Sequence, residues 1–507
     1  KAFNDPFSKE SGTGTCSSFV LGKKDEFKWE DQNFSVPHIN DVVMYEMMVD
    51  DFAVNFEGVI KKLEYLKSLG VNCIELMPVT NIPEPYRWGY MPLNYFAIEE
   101  RFGGVKELKN FVNECHKQDI AVIHDAVYSH MHNDFCYKKV YWECGEENPM
   151  IGPFAEDMFG VGTDFNKPFT FDFFLAVNKY FIEELHFDGF RYDYVPGIYD
   201  GPMGKGYSKL VYETYQHCKS IKRFNGSDDC RVIQAAEFLA NPKNILEETY
   251  TTASKRWAPM SISQDMISHY GSVPRSFIDE MLLIDFDHPW PQHYTNGNDS
   301  FDVAPIQFIE CHDKSRLNYI QSGEMETKDA GFDLFNRDLS KWYRLQPFAI
   351  ALMTGEGIPL IWQGQEFGEI YGKHDEGGAR VLAPRRLHWN YFYEENGRNL
   401  VNLYRKLGQL RKKYPALRSR SSYFYFDKSD LNHGVVAYLR KATNGAGDKN
   451  VLVLINFNEY EHQINLAPGN GTWEEQLVST QDKIKITGNQ EWKFTIPSNY
   501  GKIYVQK

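Results

Sequence analysis

The apolar segment Phe187–Tyr194 carries an arginine and an aspartate two residues apart, Arg191 and Asp193. Side chains alternate faces along a β-strand, so these two would point in the same direction. A cation beside a carboxylate keeps that carboxylate ionised. An ionised carboxylate held in place is what a displacement at a sugar carbon needs as its nucleophile. Alone, however, the pair is more simply explained as a structural ion pair at a strand end.

Other polar side chains also stand where apolar, strand-length segments end. Each of them has a structural explanation of its own, as a strand cap or an ion-pair partner. Together they would place carboxylates, histidines and an arginine beside aromatic rings at one edge of a sheet. The residues are Asp125, Ser129 and His130 after one segment, Glu237 after another, His312-Asp313 after a third, and the loop Arg87-Trp88-Gly89-Tyr90.

Carboxylates among aromatic residues suit the hydrolysis of a glycosidic bond. In that reaction one carboxylate attacks the anomeric carbon and a second, protonated carboxyl group serves the leaving oxygen. Metal-assisted hydrolysis is the weaker interpretation because the chain has no HExxH motif. We therefore expect no metal among the catalytic groups, while calcium elsewhere in the protein stays open.

The elements that must position these residues alternate regularly between strand and helix. Eight apolar segments are predicted as strands buried on both faces, and amphipathic segments such as Gly58–Gly70 and Gly103–Asp119 are predicted as helices between them. Eight such repeats favour an α/β fold, the (β/α)8 TIM barrel. An open doubly wound sheet is less favoured because no glycine-rich turn follows the first strand. The predicted strands are Val42–Val49, Asn72–Val79, Ile120–Tyr128, Phe187–Tyr194, Arg231–Glu237, Met281–Asp287, Pro305–Asp313 and Ile358–Glu366.

Three regions are predicted along the chain. Residues 1–40 form an N-terminal extension, and residues 41–418 form the barrel, including a short excursion over residues 131–167 after the third strand. Residues 419–507 change to alternating apolar and polar positions with Asn-Gly and Gly-Asn turns, which indicates a C-terminal antiparallel β-sandwich.

Composition excludes some partners. The net charge of −14 argues against nucleic acid, and no apolar run reaches the roughly 20 residues of a membrane span. The eight cysteines form no CxxC pattern, although a pairing such as Cys136 with Cys144 stays open. The chain starts at Lys1, so we expect a processed or trimmed product, and the compartment stays open, with a slight preference for a secreted or periplasmic one.

Four motifs in chain order resemble those of the α-amylase superfamily, the family 13 glycoside hydrolases. The resemblance runs from about Asp41 to the C-terminus, and the Trp88-Gly89-Tyr90 loop and the segment Gly357–Glu366 also fit it. The four motifs are DAVYSH (Asp125–His130), GFRYD (Gly189–Asp193), AAE (Ala235–Glu237) and ECHD (Glu310–Asp313).

The resemblance implies a role for each candidate residue. Asp193 would be the nucleophile, Glu237 the general acid and then base, and Asp313 a third carboxylate that holds sugar hydroxyls. Arg191 would keep Asp193 charged, and Asp125 would give structural support. The implied substrate-binding residues are Trp88, Tyr90, His130, Arg191 and His312. Retention of configuration would follow from carboxyl groups about 5–5.5 Å apart. The substrate would be an α-glucan such as starch, glycogen or a maltooligosaccharide.

Departures from the family pattern refine these expectations. Ser129 stands where the family usually has an asparagine that helps to hold calcium, so we predict no calcium at that position and no other cofactor. Cys311 replaces the asparagine of the fourth motif, and its thiol is interpreted as a packing group. Pro196 leaves the acceptor side of the site open, because many relatives have a lysine or histidine there.

Branching enzymes and maltooligosyltrehalose hydrolases are the most similar members. Both carry a starch-binding β-sandwich before the barrel, which raises the expectation of such a domain upstream of this chain. Branching enzymes usually have glutamate where Lys314 and Phe238 stand here, which favours a hydrolase. A glucan transglycosylase is the alternative. A non-catalytic glycan-binding relative is less favoured because Asp193, Glu237 and Asp313 are all present.

Overall fold

The computed structural model describes most of the chain. Among the described residues no helix has both the length and the apolar character needed to cross a membrane. The described residues are 4–11, 17–18, 27–82, 88–155, 160–226, 229–238, 242–255, 267, 272–282, 304–314, 316–318, 339–370, 385–442, 449–478 and 482–507.

The chain divides into two compact units. The first contains residues 1–67, 71–256 and 375–387, and the second contains residues 68–70, 257–374 and 388–507. The strands of the first unit are β1 (Glu10–Ser11), β2 (Ser17–Ser18), β3 (Met44–Met47), β4 (Cys73–Leu76), β5 (Thr80–Asn81), β6 (Asn94–Glu99), β7 (Ala121–Ala126), β8 (His130–Met131), β9 (Val161–Gly162), β10 (Gly189–Tyr192), β11 (Ile233–Glu237) and β12 (Ala253–Lys255). Its helices are α1 (Val49–Ala53), α2 (Phe56–Ile60), α3 (Leu63–Ser68, which ends one residue into the second unit), α4 (Gly104–Lys117), α5 (Cys136–Cys144), α6 (Pro168–Glu183), α7 (Tyr207–Cys218) and α8 (Pro242–Glu248).

The second unit begins with barrel elements and continues into a β domain. Its strands are β13 (Ala304–Phe308), β14 (Ile358–Trp362), β15 (Ser422–Phe424), β16 (Val435–Arg440), β17 (Val451–Asn456), β18 (His462–Leu466), β19 (Gly471–Glu475), β20 (Lys483–Ile486), β21 (Trp492–Ile496) and β22 (Tyr500–Gln506). Its helices are α9 (Arg275–Met281), α10 (Gln346–Thr354), α11 (Trp389–Tyr393) and α12 (Glu395–Lys413).

Eight strands close into a barrel, which confirms the predicted (β/α)8 fold. Their order around the barrel is β10-β11-β12-β13-β14-β3-β4-β7. The central strands of the first unit are buried along their whole length, as is expected for parallel strands covered by helices.

The predicted position of the sixth barrel strand was wrong. The barrel strand at that place is β12, Ala253–Lys255, whereas Met281 is the last residue of helix α9. Leu282 lies in a turn, and residues 283–287 of the predicted strand lie outside the described residues. A three-residue strand of Ala, Ser and Lys has no apolar run, so hydrophobic patterning favours the more apolar segment after it.

The N-terminal region contributes to the first unit. Strand β1 pairs in parallel with β6, at Glu10↔Ile98 and Ser11↔Glu99. Phe34 and Val36 are buried, although both lie within the predicted extension. The excursion after β7 contains helix α5 and the small antiparallel pair β8–β9.

The C-terminal β domain has antiparallel sheets, as predicted. One sheet runs β15-β16-β17-β22-β19-β20, and β18 pairs with β21 in a second. Buried side chains from both sheets, among them Trp473, Leu454 and Phe494, form a single core. Strands β18, β20 and β21 alternate buried with more exposed residues, in keeping with the alternation seen in the sequence. Helix α10 joins this domain through a 2.5 Å hydrogen bond between Thr354 Oγ1 and the Tyr438 hydroxyl.

Candidate active site

One guanidinium holds three carboxylates at the ends of three neighbouring strands. Arg191 Nη1 lies 2.7 Å from Asp125 Oδ1 and 2.6 Å from Asp193 Oδ1. Arg191 Nη2 lies 2.9 Å from Glu237 Oε2. We call these four residues, Asp125, Arg191, Asp193 and Glu237, the carboxylate cluster. They come from segments far apart in sequence, as the strand-end analysis predicted.

Strand register explains how the cluster forms. Arg191 of β10 lies beside Asp125 of β7 on one side and Ala235 of β11 on the other. Asp193 and Glu237 follow within two residues of these positions. Gly189 permits the close approach of β10 to β11, because a Cβ at this position, with φ of +154°, would collide with the Ile233 carbonyl oxygen.

Tyr90 binds the cluster from the loop after the second barrel strand. Its hydroxyl donates to Asp125 Oδ2 at 2.6 Å, and the Arg191 guanidinium lies 6.0 Å from the centre of its ring. Burial and the nearby Asp125 raise the pKa of the Tyr90 hydroxyl well above its usual value, so it stays protonated and acts as a donor.

Trp88 lies under a second cation. The Arg385 guanidinium is 4.4 Å from the centre of the indole ring, and only 2% of Trp88 is exposed. The Arg385 amide donates to Asp51 Oδ1 at 3.0 Å, and burial raises the pKa of Asp51 to about 7. Sequence reasoning gave neither Arg385 nor Asp51. The Arg87 of the same predicted loop lies outside the described residues.

His130 is held at both ring nitrogens. Its Nδ1 lies 2.8 Å from Ser129 Oγ, and its Nε2 lies 2.7 Å from the Tyr90 carbonyl oxygen. Tyr95 donates its hydroxyl to the His130 carbonyl oxygen at 2.9 Å. The Ser129 hydroxyl therefore contacts the His130 ring directly and helps to orient it. Across the described part of the chain no group of three or more His, Cys, Asp and Glu side chains is arranged to hold a metal ion. The expectation of no calcium and no cofactor stays a prediction.

The residue after Asp193 has an unusual backbone conformation. Tyr194 has φ of +42°, in the left-handed region that non-glycine residues rarely adopt. In this conformation its amide donates to Glu237 Oε2 at 2.9 Å. One oxygen of Glu237 thus accepts from both Tyr194 and Arg191, which leaves Oε1 as the oxygen able to carry a proton. Sequence patterns gave no signal for this contact.

The carboxylate cluster holds more negative than positive groups in a buried place. Burial, together with Glu237 and Asp125, raises the pKa of Asp193 well above its usual value, although Arg191 opposes the shift. Three carboxylates around one cation favour the retention of a proton within the cluster.

The two residues predicted from the fourth motif lie in the second unit. His312 Nε2 is 3.3 Å from Asp313 Oδ2, and the His312 ring lies 6.4 Å from that of Trp362. In the same motif, Glu310 pairs with Arg316 at 2.9 Å, a structural ion pair. Cys311 is buried and is not in a disulfide, and its role as a packing group stays a prediction.

Comparisons with known proteins agree with the predicted family. The model of the α-amylase catalytic domain matches residues 17–149. A malto-oligosyltrehalose trehalohydrolase of Saccharolobus solfataricus is 27% identical over 68% of this chain and 60% of its own length. A 1,4-alpha-glucan branching enzyme of Xanthomonas oryzae is 24% identical over 94% of this chain and 66% of its own length. This chain thus spans about three fifths to two thirds of those relatives.

The fold also matches that of solved proteins. An Anoxybacillus α-amylase superposes with a TM-score of 0.70 at 18% identity, over 93% of this chain and 98% of that one. With its barrel, its ordered motifs and these relatives, the chain is related to the α-amylase superfamily of glycoside hydrolases.

Proposed function

We propose that this protein is a retaining glycoside hydrolase that cleaves α-1,4-glucosidic bonds in starch, glycogen or maltooligosaccharides. The observation that carries the proposal is the single guanidinium of Arg191 bonded to Asp125, Asp193 and Glu237. Two carboxyl groups that contact one planar guanidinium lie near each other. Such closeness supports direct attack by a carboxylate over attack by an intervening water.

In the proposed double displacement, Asp193 attacks the anomeric carbon while Glu237 protonates the leaving oxygen through Oε1. Glu237 then removes a proton from water, which releases the sugar from Asp193 with its configuration retained. Arg191 stabilises whichever carboxyl group is ionised at each step. The roles of Asp313 and His312 in holding sugar hydroxyls are proposed from the family resemblance. So are those of Trp88, Tyr90 and His130 in binding substrate.

Two features refine the proposed binding roles. The face of Trp88 that Arg385 covers is not available to a sugar, so we propose that Trp88 acts by fixing the loop that carries Tyr90. His130 already contacts protein at both nitrogens, so it would exchange its bond to the Tyr90 carbonyl oxygen for one to a sugar hydroxyl. Both proposals assign these residues to positioning first and to substrate contact second.

A glucan transglycosylase, such as a branching enzyme, is the second candidate. The branching-enzyme relative matches 94% of this chain, against 68% for the trehalohydrolase. The two activities share a covalent intermediate and differ in whether water or a sugar hydroxyl accepts the glycosyl group.

One experiment separates the candidates. The protein is incubated with amylose, and new reducing ends and iodine colour are followed together. A hydrolase produces reducing ends as the colour fades, whereas a branching enzyme fades the colour without new reducing ends. Chromatography of products from maltoheptaose, pullulan, amylopectin and a malto-oligosyltrehalose then defines the bond. No change in any substrate, with the fold intact by circular dichroism, would contradict both candidates.

A further inference from the structure

The short loop Trp88–Tyr90 links the carboxylate cluster to a distant part of the chain. The Tyr90 hydroxyl donates to Asp125 Oδ2 at 2.6 Å, and the Tyr90 carbonyl oxygen lies 2.7 Å from His130 Nε2. The indole of Trp88, two residues earlier, lies under the guanidinium of Arg385. What holds this loop in place therefore also sets where Tyr90 meets the cluster.

The middle of the loop packs closely against the segment that follows β4. Gly89 has φ of +93°, which glycine adopts at little cost. A Cβ at this position would come within 2.5 Å of Pro78 Cβ and 2.9 Å of the Pro78 carbonyl oxygen. This packing prevents movement of the loop towards Pro78 but not away from it, so a second contact is needed to fix the loop.

Arg385 supplies a second contact. Its guanidinium carbon lies 4.4 Å from the centre of the Trp88 indole, and 9% of Arg385 and 2% of Trp88 are exposed. A planar guanidinium is attracted by the face of an indole ring, and the attraction is stronger where both groups are removed from water. The contact is therefore suited to hold Trp88 firmly.

Asp51 of helix α1 anchors the backbone that carries this arginine. Its Oδ1 accepts from the Arg385 amide at 3.0 Å, and its carbonyl oxygen accepts from the Leu387 amide at 3.1 Å. One residue thus accepts from two amides of the same segment. The next residue, Arg386, differs, because 64% of its side chain is exposed and it lies 3.6 Å from Asp50 in a surface ion pair.

We propose that Arg385 and Asp51 are positioning residues of the active site, which hold the Trp88–Tyr90 loop where the Tyr90 hydroxyl reaches Asp125. Both act through Tyr90. For its effect on turnover the proposal rests on the proposed glycosidase function. Loss of Arg385 would let the loop relax, and a displacement of about 1 Å near reacting groups can slow catalysis by about 100-fold.

Hydrogen–deuterium exchange tests the hold on the loop without any need for turnover. The peptide that contains Trp88–Tyr90 should exchange faster in Arg385→Gln and in Asp51→Ala than in the wild type. Asp51→Asn keeps an oxygen that can accept from the Arg385 amide, so its exchange should stay close to that of the wild type. The matched control is Arg386→Gln, at the neighbouring exposed position, which should leave the exchange unchanged.

Kinetics on maltoheptaose test the consequence for catalysis. We expect Arg385→Gln to lower kcat by about tenfold to 100-fold, with a smaller change in KM, and Arg386→Gln to change neither. In a Tyr90→Phe background the hydroxyl is already lost, so Arg385→Gln should lower kcat by a much smaller factor. A merely structural role of Arg385 would lower kcat by the same factor in both backgrounds. If Arg385→Gln fails to fold, Arg385→Lys replaces it, because lysine keeps the charge but lacks the planar group.

Three results would overturn the proposal. One is unchanged exchange of the loop in the folded Arg385 variant. The second is faster exchange with kcat unchanged. The third is an equal loss of kcat in the wild-type and Tyr90→Phe backgrounds. A wild-type protein without turnover would instead contradict the proposed function, and the exchange measurement would still decide whether Arg385 holds the loop.

Discussion

His116 Nδ1 lies 2.9 Å from Asp31 Oδ2, although 85 positions separate the two residues. On the other side of the ring, Nε2 lies 2.9 Å from Asp188 Oδ2. A carboxylate can only accept, so both ring nitrogens must carry hydrogen, and His116 is a buried imidazolium. Asp31 also receives a 2.6 Å hydrogen bond from His186 Nδ1, and Arg223 Nε lies 3.3 Å from Asp188. The N-terminal region is thereby tied to the barrel unit.

This arrangement predicts that stability falls as pH rises above neutrality. Burial lowers the pKa of His116, but Asp188 and Asp31 outweigh burial and raise it above its usual value. A raised pKa in the folded state contributes stability that is complete below about pH 6.5 and is lost as pH rises through the folded-state pKa. Urea denaturation at intervals from pH 6 to 9 should show a decreasing free energy of unfolding.

At acid pH the contribution of Asp31 gives stability the opposite dependence on pH. Burial raises the pKa of Asp31, but the hydrogen bonds from His116 and His186 outweigh it and lower the pKa below its usual value. Its contribution is therefore complete above about pH 4 and is lost as pH falls further. The double variant Asp31→Asn/His116→Gln should be less stable than the wild type at pH 6. Its free energy of unfolding should also change less with pH, on both the acid and the alkaline side. A wild-type slope retained by this variant would contradict the assignment.

Replacing the proposed nucleophile should abolish turnover and preserve binding. Asp193→Asn removes the attacking charge but keeps the size of the side chain, so kcat should fall by about 10⁴-fold or more. Binding of maltoheptaose, measured by calorimetry, should remain. The matched control is Asp172→Asn on the exposed face of α6, which should leave kcat unchanged. An active Asp193→Asn variant would refute the proposed mechanism.

The acid limb of the activity profile should depend on Asp125. Asp193 must be ionised to attack, and its pKa is raised, so kcat/KM should decline as pH falls through that raised value. Asp125 contributes to the increase, hence Asp125→Asn should move the acid limb to lower pH. The comparison variant is Tyr90→Phe, which removes the hydrogen bond to Asp125 but leaves the charge of Asp125 in place. A limb that stays in place in Asp125→Asn would show that Asp125 has no electrostatic role.

Gly189→Ala should disrupt the barrel. A methyl group at this position would collide with the Ile233 carbonyl oxygen, which belongs to the neighbouring strand and cannot move away alone. We expect little soluble protein or a fall in Tm of 10 °C or more, by the order of magnitude for overpacked core sites. Gly145→Ala, also at positive φ but with open space around it, should cost only about 1 kcal/mol. Equal Tm values for the two variants would contradict the steric explanation.

The position of a residue could be predicted from the sequence where it depends on the end of a strand. It could not be predicted where it depends on detailed packing. Asp125, Asp193 and Glu237 could be predicted because each follows a long apolar run, and parallel strands of a barrel end together. Strand β12 could not, because Ala253–Lys255 owes its conformation to neighbouring strands and has no pattern of its own.

Contacts that bring distant segments together were likewise missed. The contact of Arg385 with Trp88 depends on how loops return to the barrel. The same is true of Asp31, which lies within the predicted N-terminal extension and contacts His116. Hydrophobic periodicity reports which face of an element is buried, but it does not report which polar partner an exposed loop will meet.

The excess of carboxylates over cations in the cluster should also weaken the binding of negatively charged ligands. A phosphorylated sugar would bring further negative charge to Asp125, Asp193 and Glu237, and the one guanidinium is already shared among them. A basic nitrogen analogue of the sugar ring, protonated at neutral pH, would instead be attracted by the excess of carboxylates in the cluster. The same imbalance predicts that cationic ring mimics bind this site more tightly than anionic sugars do.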